Sequence, residues 1–128
     1  INIDALDEIH YLKTGKLIEA CVESICILKN DLPKKHLKAF LDFAKKFGLA
    51  FQIKDDILDV LGDEKTIGKP INSDSKHNKA TYPSIIGLEA SQLRAEKLCS
   101  EALKILNKLP YNTDNLIKLS KFIILRNK

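Results

Sequence analysis

Apolar residues recur at helical spacing from Leu6 to Leu28, which predicts a first amphipathic helix. Asn2 or Asp4 can cap its start, because short polar side chains accept hydrogen bonds from the first free backbone N–H groups. The apolar pattern is interrupted at residues 13–15. A glycine inside a helix costs about 1 kcal/mol relative to alanine. Gly15 therefore indicates a bend, or a close approach by another element.

A second and longer helix is predicted after residues 30–33, where Pro33 suits a first helical turn. Its pattern runs to about Leu61, with Gly62 as the predicted stop, which gives a length of roughly 43 Å. Ala44 and Gly48 lie on one line of this helix. Their small side chains favour close helix packing, although they could also leave room for a hydrocarbon chain.

The polar stretch from Gly62 to Ala80 is a predicted loop, and loops of this length in a compact domain are commonly functional or disordered. Thr81 or Ser84 can cap a third helix, which Gly87 briefly breaks and which ends at Pro110. This third helix carries a core-facing apolar stripe and no evident chemistry. Thr113 is the predicted cap of a last helix, which ends in basic residues. The pattern thus predicts an all-α fold of about four main helices and one long loop.

Composition narrows the class of protein. The chain has 128 residues, 45% of them hydrophobic, which fits one packed domain over residues 1–128. A net charge of +4 spread over scattered lysines, with 6% aromatic residues, argues against binding to nucleic acid. No apolar run is long enough to span a membrane. Three cysteines without metal-ligand spacing fit free thiols in the cytoplasm.

The chain begins at Ile1 and contains no methionine. We therefore expect it to be a piece of a longer polypeptide, or a trimmed product.

The densest candidate chemistry lies in residues 51–60, where Asp55, Asp56 and Asp59 follow Gln52. At about 100° per residue, Asp55 and Asp59 lie roughly 40° apart on a helix and one turn from each other. Neighbouring carboxylates repel unless a cation or protons lie between them. Oxygen ligands without nearby Cys or His suit Mg²⁺ better than Zn²⁺. A solvated acidic helix face is an equally open interpretation of the spacing alone.

This stretch, with Phe51-Gln52 before the acidic triplet, resembles the second aspartate-rich motif of the trans-prenyl diphosphate synthases, most closely the bacterial farnesyl diphosphate synthases. The likeness extends over the chain through Lys13-Thr14, Gly68-Lys69, residues 79–83 and the basic end at residues 126–128. It implies the C-terminal helices of the isoprenoid synthase bundle. The N-terminal half of that domain, with the first aspartate-rich motif, has no counterpart in this sequence.

The resemblance also implies roles for individual residues. The candidate catalytic residues are Lys13, which would hold the allylic diphosphate, Thr14, which would help to stabilise the carbocation, and Gln52, which would lie near the reacting carbons. Metal ions would be held by Asp55, Asp56, Asp59 and Asp74. Further contacts to the substrate diphosphates are implied for Lys69, Lys79, Arg126 and Lys128.

The implied reaction is a Mg²⁺-dependent head-to-tail prenyl transfer, in which isopentenyl diphosphate condenses with dimethylallyl or geranyl diphosphate to give farnesyl diphosphate. With half an active site, the chain is expected to be inactive alone and to associate with itself through exposed apolar helix faces, as a homo-oligomer. Three alternatives stay open: a longer-chain polyprenyl diphosphate synthase, a non-catalytic helical subunit, and a module that binds metal or diphosphate.

Overall fold

The computed structural model of this chain describes residues 1–67 and 79–127, and these residues form helices and connecting turns without a strand. The all-α prediction is therefore confirmed for this part of the chain. In chain order the elements are α1 (Ile3–His10), a π-helical turn (Tyr11–Gly15), α2 (Lys16–Leu28), α3 (Lys34–Ile67), α4 (Tyr82–Ile86), α5 (Leu88–Asn107) and α6 (Asp114–Leu125).

Helix α3 is the central element, with 34 residues. It packs most extensively against α5 and next against α2, and it also contacts α1, α4, α6 and the π-helical turn. Two clusters of buried apolar residues lie along it. One contains Leu6, Ile53, Ile57, Tyr82 and Ala95, and the other contains Phe43, Ala102 and Leu106. A helix with neighbours on several sides must be apolar on several sides, and the sequence of α3 meets this requirement.

The predicted interruption of the first helix is confirmed as a π-helical turn between α1 and α2. Gly15 lies at its end, buried against α3. A Cβ atom on Gly48 would lie 3.3 Å from the Cα atom of Gly15. The two glycines thus allow the backbones of the turn and of α3 to approach each other closely, as expected for small residues at a helix contact.

The predicted end of the second helix was wrong, because α3 continues through Gly62 to Ile67. A glycine in a helix costs only about 1 kcal/mol. Glu64 and Lys65, which follow it, are good helix formers. The connection to α4 therefore begins later than predicted. Lys69 and Asp74 fall within residues 68–78, which lie outside the described residues, and so does Lys128.

Both predicted cap residues, Thr81 and Ser84, form hydrogen bonds at the start of α4. The Thr81 hydroxyl accepts from the Ser84 backbone N–H, and the Ser84 hydroxyl accepts in turn from the Thr81 N–H. Gly87, with φ of +86°, then separates α4 from α5, as predicted. Thr113 is the N-cap residue of α6, but its side chain makes no cap hydrogen bond. Asn112 Oδ1 accepts instead from the Asp114 N–H at 3.1 Å.

Large apolar side chains are also exposed, mainly on the outer faces of α2 and α6. They include Leu17, Ile25 and Leu28 on α2, and Leu119, Phe122 and Leu125 on α6. None of the helices in residues 1–67 and 79–127 has both the length and the apolar character needed to cross a bilayer.

Candidate active site

The π-helical turn and α3 are joined by a hydrogen bond between two of the predicted catalytic residues. The Thr14 hydroxyl donates to the Gln52 Oε1 atom at 2.9 Å. Gln52 is buried. Lys13, which precedes Thr14 in the π-helical turn, is exposed. Residues that are 38 positions apart in the chain are thus in direct contact. The contact lies about one helical turn before Asp55 on α3.

The C-terminal end of α6 reaches the same part of α3. Arg126 donates to the Asp55 carboxylate at 2.5 Å and to the Phe51 carbonyl oxygen at 3.4 Å. Its guanidinium also lies 4.6 Å from the centre of the Phe51 ring, at the distance of a cation–π contact. A predicted metal ligand and a predicted diphosphate-binding residue are therefore paired.

Asp56 points into the protein. Its Oδ2 atom lies 3.2 Å from His10 Nε2 and accepts from the Tyr82 backbone N–H at 3.1 Å. Both the Asp56 and the His10 side chains are more than nine-tenths buried. The Asp56 carboxylate is thus part of the contact between α3, α1 and α4.

Asp55 and Asp59 remain accessible from outside, since the Asp55 side chain is 38% exposed and Asp59 is an exposed residue. Within the described part of the chain, no three His, Cys, Asp or Glu side chains form a metal cluster. Two carboxylates one helical turn apart nevertheless fit Mg²⁺, which keeps several waters and commonly binds one or two carboxylates together with substrate phosphates.

Of the other predicted residues, Lys79 is exposed just before α4. The structure thus joins Thr14 with Gln52 and Asp55 with Arg126, and it directs Asp56 away from the accessible carboxylates.

The family model for polyprenyl synthetase matches residues 1–119. This chain belongs to the polyprenyl synthetase family. It is 40% identical to the farnesyl diphosphate synthase of Escherichia coli over its whole length, and 42% identical to the geranylgeranyl diphosphate synthase of Cyanophora paradoxa over 98% of its length. It spans 44% and 42% of the lengths of these two relatives.

A solved structure supports the same relationship. The chain superimposes on the crystal structure of a candidate farnesyl-diphosphate synthase from Marinomonas sp. MED121 with a TM-score of 0.79 and 28% sequence identity. The match covers 97% of this chain and 40% of that one. The helices of this polyprenyl synthetase chain are therefore arranged as they are in part of a longer helical protein.

Sequence reasoning missed a second polar network beside the acidic stretch. The Tyr82 hydroxyl and the Arg94 guanidinium both donate to the carboxylate of Asp7. Burial, followed by the hydrogen bond to Asp7, raises the pKa of Tyr82. Arg94 lies on α5, to which the apolar pattern assigned only a packing role. In the sequence, Tyr82 stands out only as the residue before Pro83 at a predicted helix start. That position does not indicate that its hydroxyl has a partner in α1.

The end of α6 also affects the electrostatics of α3. Lys54 is buried next to Asp55, and burial together with the positive charge of Arg126 lowers its pKa, whereas Glu96 acts in the opposite direction. Arg126 thus places positive charge beside Asp55, and such a charge attracts anions.

A cavity of about 350 Å³ opens at the π-helical turn. Its lining contains none of the predicted site residues and consists of Asp7, Glu8, Tyr11, Gly15, Lys45 and Leu49. The candidate active site is therefore the surface formed by the turn, α3 and the end of α6.

Proposed function

We propose that this chain forms one wall of the active site of a prenyl diphosphate synthase. The reaction is a head-to-tail prenyl transfer in which dimethylallyl diphosphate and isopentenyl diphosphate give geranyl diphosphate, and geranyl diphosphate and a second isopentenyl diphosphate give farnesyl diphosphate. Each step breaks the allylic carbon–oxygen bond, forms one carbon–carbon bond, and releases inorganic diphosphate and one proton from the isopentenyl unit. The hydrogen bond between Thr14 and Gln52 is the observation that carries the proposal. It holds the bend at residues 13–15 against the helix face that carries the accessible carboxylates of Asp55 and Asp59.

Asp55 and Asp59 hold Mg²⁺ in this proposal, and Asp74 contributes from outside the described residues. Mg²⁺, when bound, neutralises the charge of the diphosphate leaving group and so favours its departure from the allylic carbon. Asp56 was predicted as a further ligand. Because its carboxylate is buried and accepts hydrogen bonds from elsewhere, we assign it a supporting role.

The remaining residues bind the substrates and protect the intermediate. The ammonium and guanidinium groups that hold the two diphosphates come from Lys13, Lys69, Lys79, Arg126 and Lys128. The oxygen atoms of Thr14 and Gln52 stabilise the allylic cation by their dipoles, because charge develops beside them. Water must be kept from this cation, and we propose that the chain end at Arg126 closes the site during the reaction.

The proposal assigns half of an active site to these 128 residues. The family resemblance implies a first aspartate-rich motif, and the sequence contains no second Asp-Asp pair besides residues 55 and 56. The chain also spans less than half the length of the relatives described above. We therefore expect no product from the chain alone.

The decisive experiment joins this chain behind the amino-terminal part of the Escherichia coli relative, in place of the part that it matches. The joined protein is incubated with geranyl diphosphate, isopentenyl diphosphate and Mg²⁺, and the product is identified by chromatography. We expect farnesyl diphosphate from the joined protein and none from the 128-residue chain. Turnover by the chain alone would contradict the half-site proposal.

Variants of the joined protein test the roles of the carboxylates. We expect Asp55→Asn and Asp59→Asn to lower kcat by about 100-fold or more, because charge stabilisation at the leaving group is lost. Asp114→Asn, at the start of α6, is a matched control that removes an exposed carboxylate outside the site and should keep wild-type turnover. Full turnover by both site variants would exclude a metal-binding role for this face.

Binding to the chain alone is measured separately by isothermal titration with inorganic diphosphate. We expect heat in the presence of Mg²⁺ and little heat in its absence, because the metal joins the carboxylates to the diphosphate. A structural helical protein with a decorative acidic face would give no Mg²⁺-dependent heat.

A further inference from the structure

The side chains of Asp55, Asp56 and Asp59 on α3 do not share one environment. Asp55 and Asp59 lie about 40° apart around the helix axis, whereas adjacent residues such as Asp55 and Asp56 lie about 100° apart. In the structure, Asp56 is buried and Asp59 is exposed. Asp59 lies between the other two around the axis, about 60° from Asp56, so it is burial and the contacts with α1 and α4, rather than spacing, that set the Asp56 carboxylate apart from the two accessible ones.

Asp56 has an arrangement that suits an anchor. Its Oδ2 atom receives the Tyr82 N–H from α4, and it is 3.2 Å from His10 Nε2 on α1. The His10 ring stacks on the Tyr82 ring with a centroid distance of 5.4 Å and an interplanar angle of 20°. The carboxylate thus connects three helices, and the two residues that it contacts also pack on each other.

The hydrogen bond to Asp56 fixes the orientation of the His10 ring. A carboxylate oxygen accepts this hydrogen bond when Nε2 of the imidazole carries the hydrogen. Nδ1 of the same ring is buried without a partner among the described residues. A buried polar atom without a partner opposes folding. His10 therefore occupies this position at a cost that the contacts with Asp56 and Tyr82 must offset.

The network continues from Tyr82 to a fourth helix. The Tyr82 hydroxyl donates to Asp7, one turn before His10 on α1, and Arg94 of α5 donates to the same carboxylate. Tyr82 is fully buried between these groups. The polar contacts on both sides of its ring thus fix α1 and α4 relative to α3 and α5.

We propose that His10 is a positioning residue and that Asp56 is its anchor on α3 rather than a metal ligand. The contact sets the rotation of α3 about its own axis, and with it the direction in which Asp55 and Asp59 face the diphosphate site. The statement about metal binding rests on the function proposed above. The statement about the anchor rests only on the observed contacts.

The first test measures thermal unfolding of the full 128-residue chain without metal. We expect His10→Ala and Asp56→Ala each to lower the Tm by about 5 °C or more, because each leaves buried polar groups unpaired. His10→Gln retains an N–H donor and Asp56→Asn retains an acceptor, so both should recover most of this loss. Asp59→Asn should leave the Tm within about 2 °C of wild type, in the range of a surface substitution. An unchanged Tm in His10→Ala would overturn the proposal.

The second test repeats the diphosphate titration at increasing Mg²⁺ concentrations with the same variants. We expect His10→Ala to weaken the Mg²⁺-dependent affinity about tenfold, as observed for residues that orient metal ligands, and His10→Gln to restore it. Asp59→Asn should abolish the Mg²⁺-dependent heat, and Asp56→Asn should stay within about threefold of wild type, because an anchor needs only an acceptor.

The two results separate the proposals. An Asp56→Asn variant that loses binding as completely as Asp59→Asn would show that Asp56 is a ligand, and the inference would be wrong. If wild type itself gives no Mg²⁺-dependent heat, the proposed metal site of this chain fails. The unfolding experiment still decides in that case whether His10 and Asp56 form the anchor.

Discussion

Arg126 donates a hydrogen bond of 2.5 Å to Asp55, although the two residues are 71 positions apart in the chain. The Arg126 side chain is 15% exposed, so water screens this ion pair less than it would screen a pair on the surface. The guanidinium thus neutralises a carboxylate that we propose as a Mg²⁺ ligand. A metal ion that binds Asp55 has to compete with Arg126.

This competition predicts that Arg126→Ala binds Mg²⁺ more tightly when no diphosphate is present. We expect an increase in affinity of about three- to tenfold, equal to a free energy of roughly 1 kcal/mol, because the carboxylate no longer has a cationic partner. Mn²⁺ as a spectroscopic probe can measure it. Arg126→Lys is the matched control, and it should keep an affinity near that of wild type. A weaker affinity in Arg126→Ala would indicate that Arg126 supports the metal site by packing.

The different environments of Asp56 and of the pair Asp55 and Asp59 show what the sequence could and could not predict. The spacing of Asp55 and Asp59 follows from helix geometry, so their shared side was predictable. The inward direction of Asp56 depends on partners in α1 and α4, which lie 46 and 26 residues away. Periodicity describes one helix at a time and contains no information on such partners. The same reason explains why Arg94 of α5 was given only a packing role.

The helix boundaries give a similar result. The cap at residues 81–84 and the break at Gly87 were predictable, because local side chains and a positive φ determine them. The stop at Gly62 was wrong, since the propensity of one residue is a weak signal against the rest of a long helix.

The close contact between α3 and the π-helical turn predicts different stabilities for two glycine-to-alanine substitutions in α3. A Cβ atom on Gly48 would meet the Gly15 backbone at 3.3 Å, whereas Gly62 has no atom within 4 Å. Both changes to alanine gain helix propensity, so their difference reports the steric cost. We expect Gly48→Ala to be less stable than Gly62→Ala by about 1–3 kcal/mol in urea unfolding. Equal stabilities would mean that the turn can move away at no cost.

The raised pKa of the buried Tyr82 hydroxyl predicts that the chain loses stability at alkaline pH. Burial raises its pKa above the ordinary value in the folded state. A raised folded-state pKa contributes stability below the unfolded pKa of about 10, and this contribution is lost as the pH rises above it. The group thus binds its proton more tightly in the folded state.

Tyr82→Phe should therefore be less stable at pH 7 by about 1 kcal/mol, because the hydrogen bond to Asp7 is lost. It should also lose less stability than wild type between pH 9 and pH 11. Urea unfolding at several pH values measures both effects. Parallel pH profiles for the two proteins would exclude a contribution from the Tyr82 hydroxyl.

The three cysteines are predicted to react at different rates. Cys21 is exposed, whereas Cys26 and Cys99 are buried. Burial raises the pKa of the Cys26 and Cys99 thiols, and a neutral thiol is a poor nucleophile. A thiol reagent at pH 8 should modify one cysteine rapidly and the other two only when the chain unfolds. The fast phase should disappear in Cys21→Ser. Three fast thiols in the native chain would contradict the packing of α2 and α5.

The outer face of α2 predicts that the 128-residue chain associates with itself. Leu17, Ile25 and Leu28 are 70%, 68% and 77% exposed, and their spacing of eight and three residues places them on one side of the helix. Contiguous apolar surface of this kind favours association in water. Light scattering after gel filtration should give a mass that rises with concentration. The substitutions Leu17→Glu, Ile25→Lys and Leu28→Glu together should shift the chain to a monomer. The control variant places three charges on exposed polar positions of α5 and α6: Ser100→Glu, Asn107→Glu and Asn115→Glu. Its association should equal that of wild type. A wild-type chain that is monomeric at every concentration would contradict the prediction.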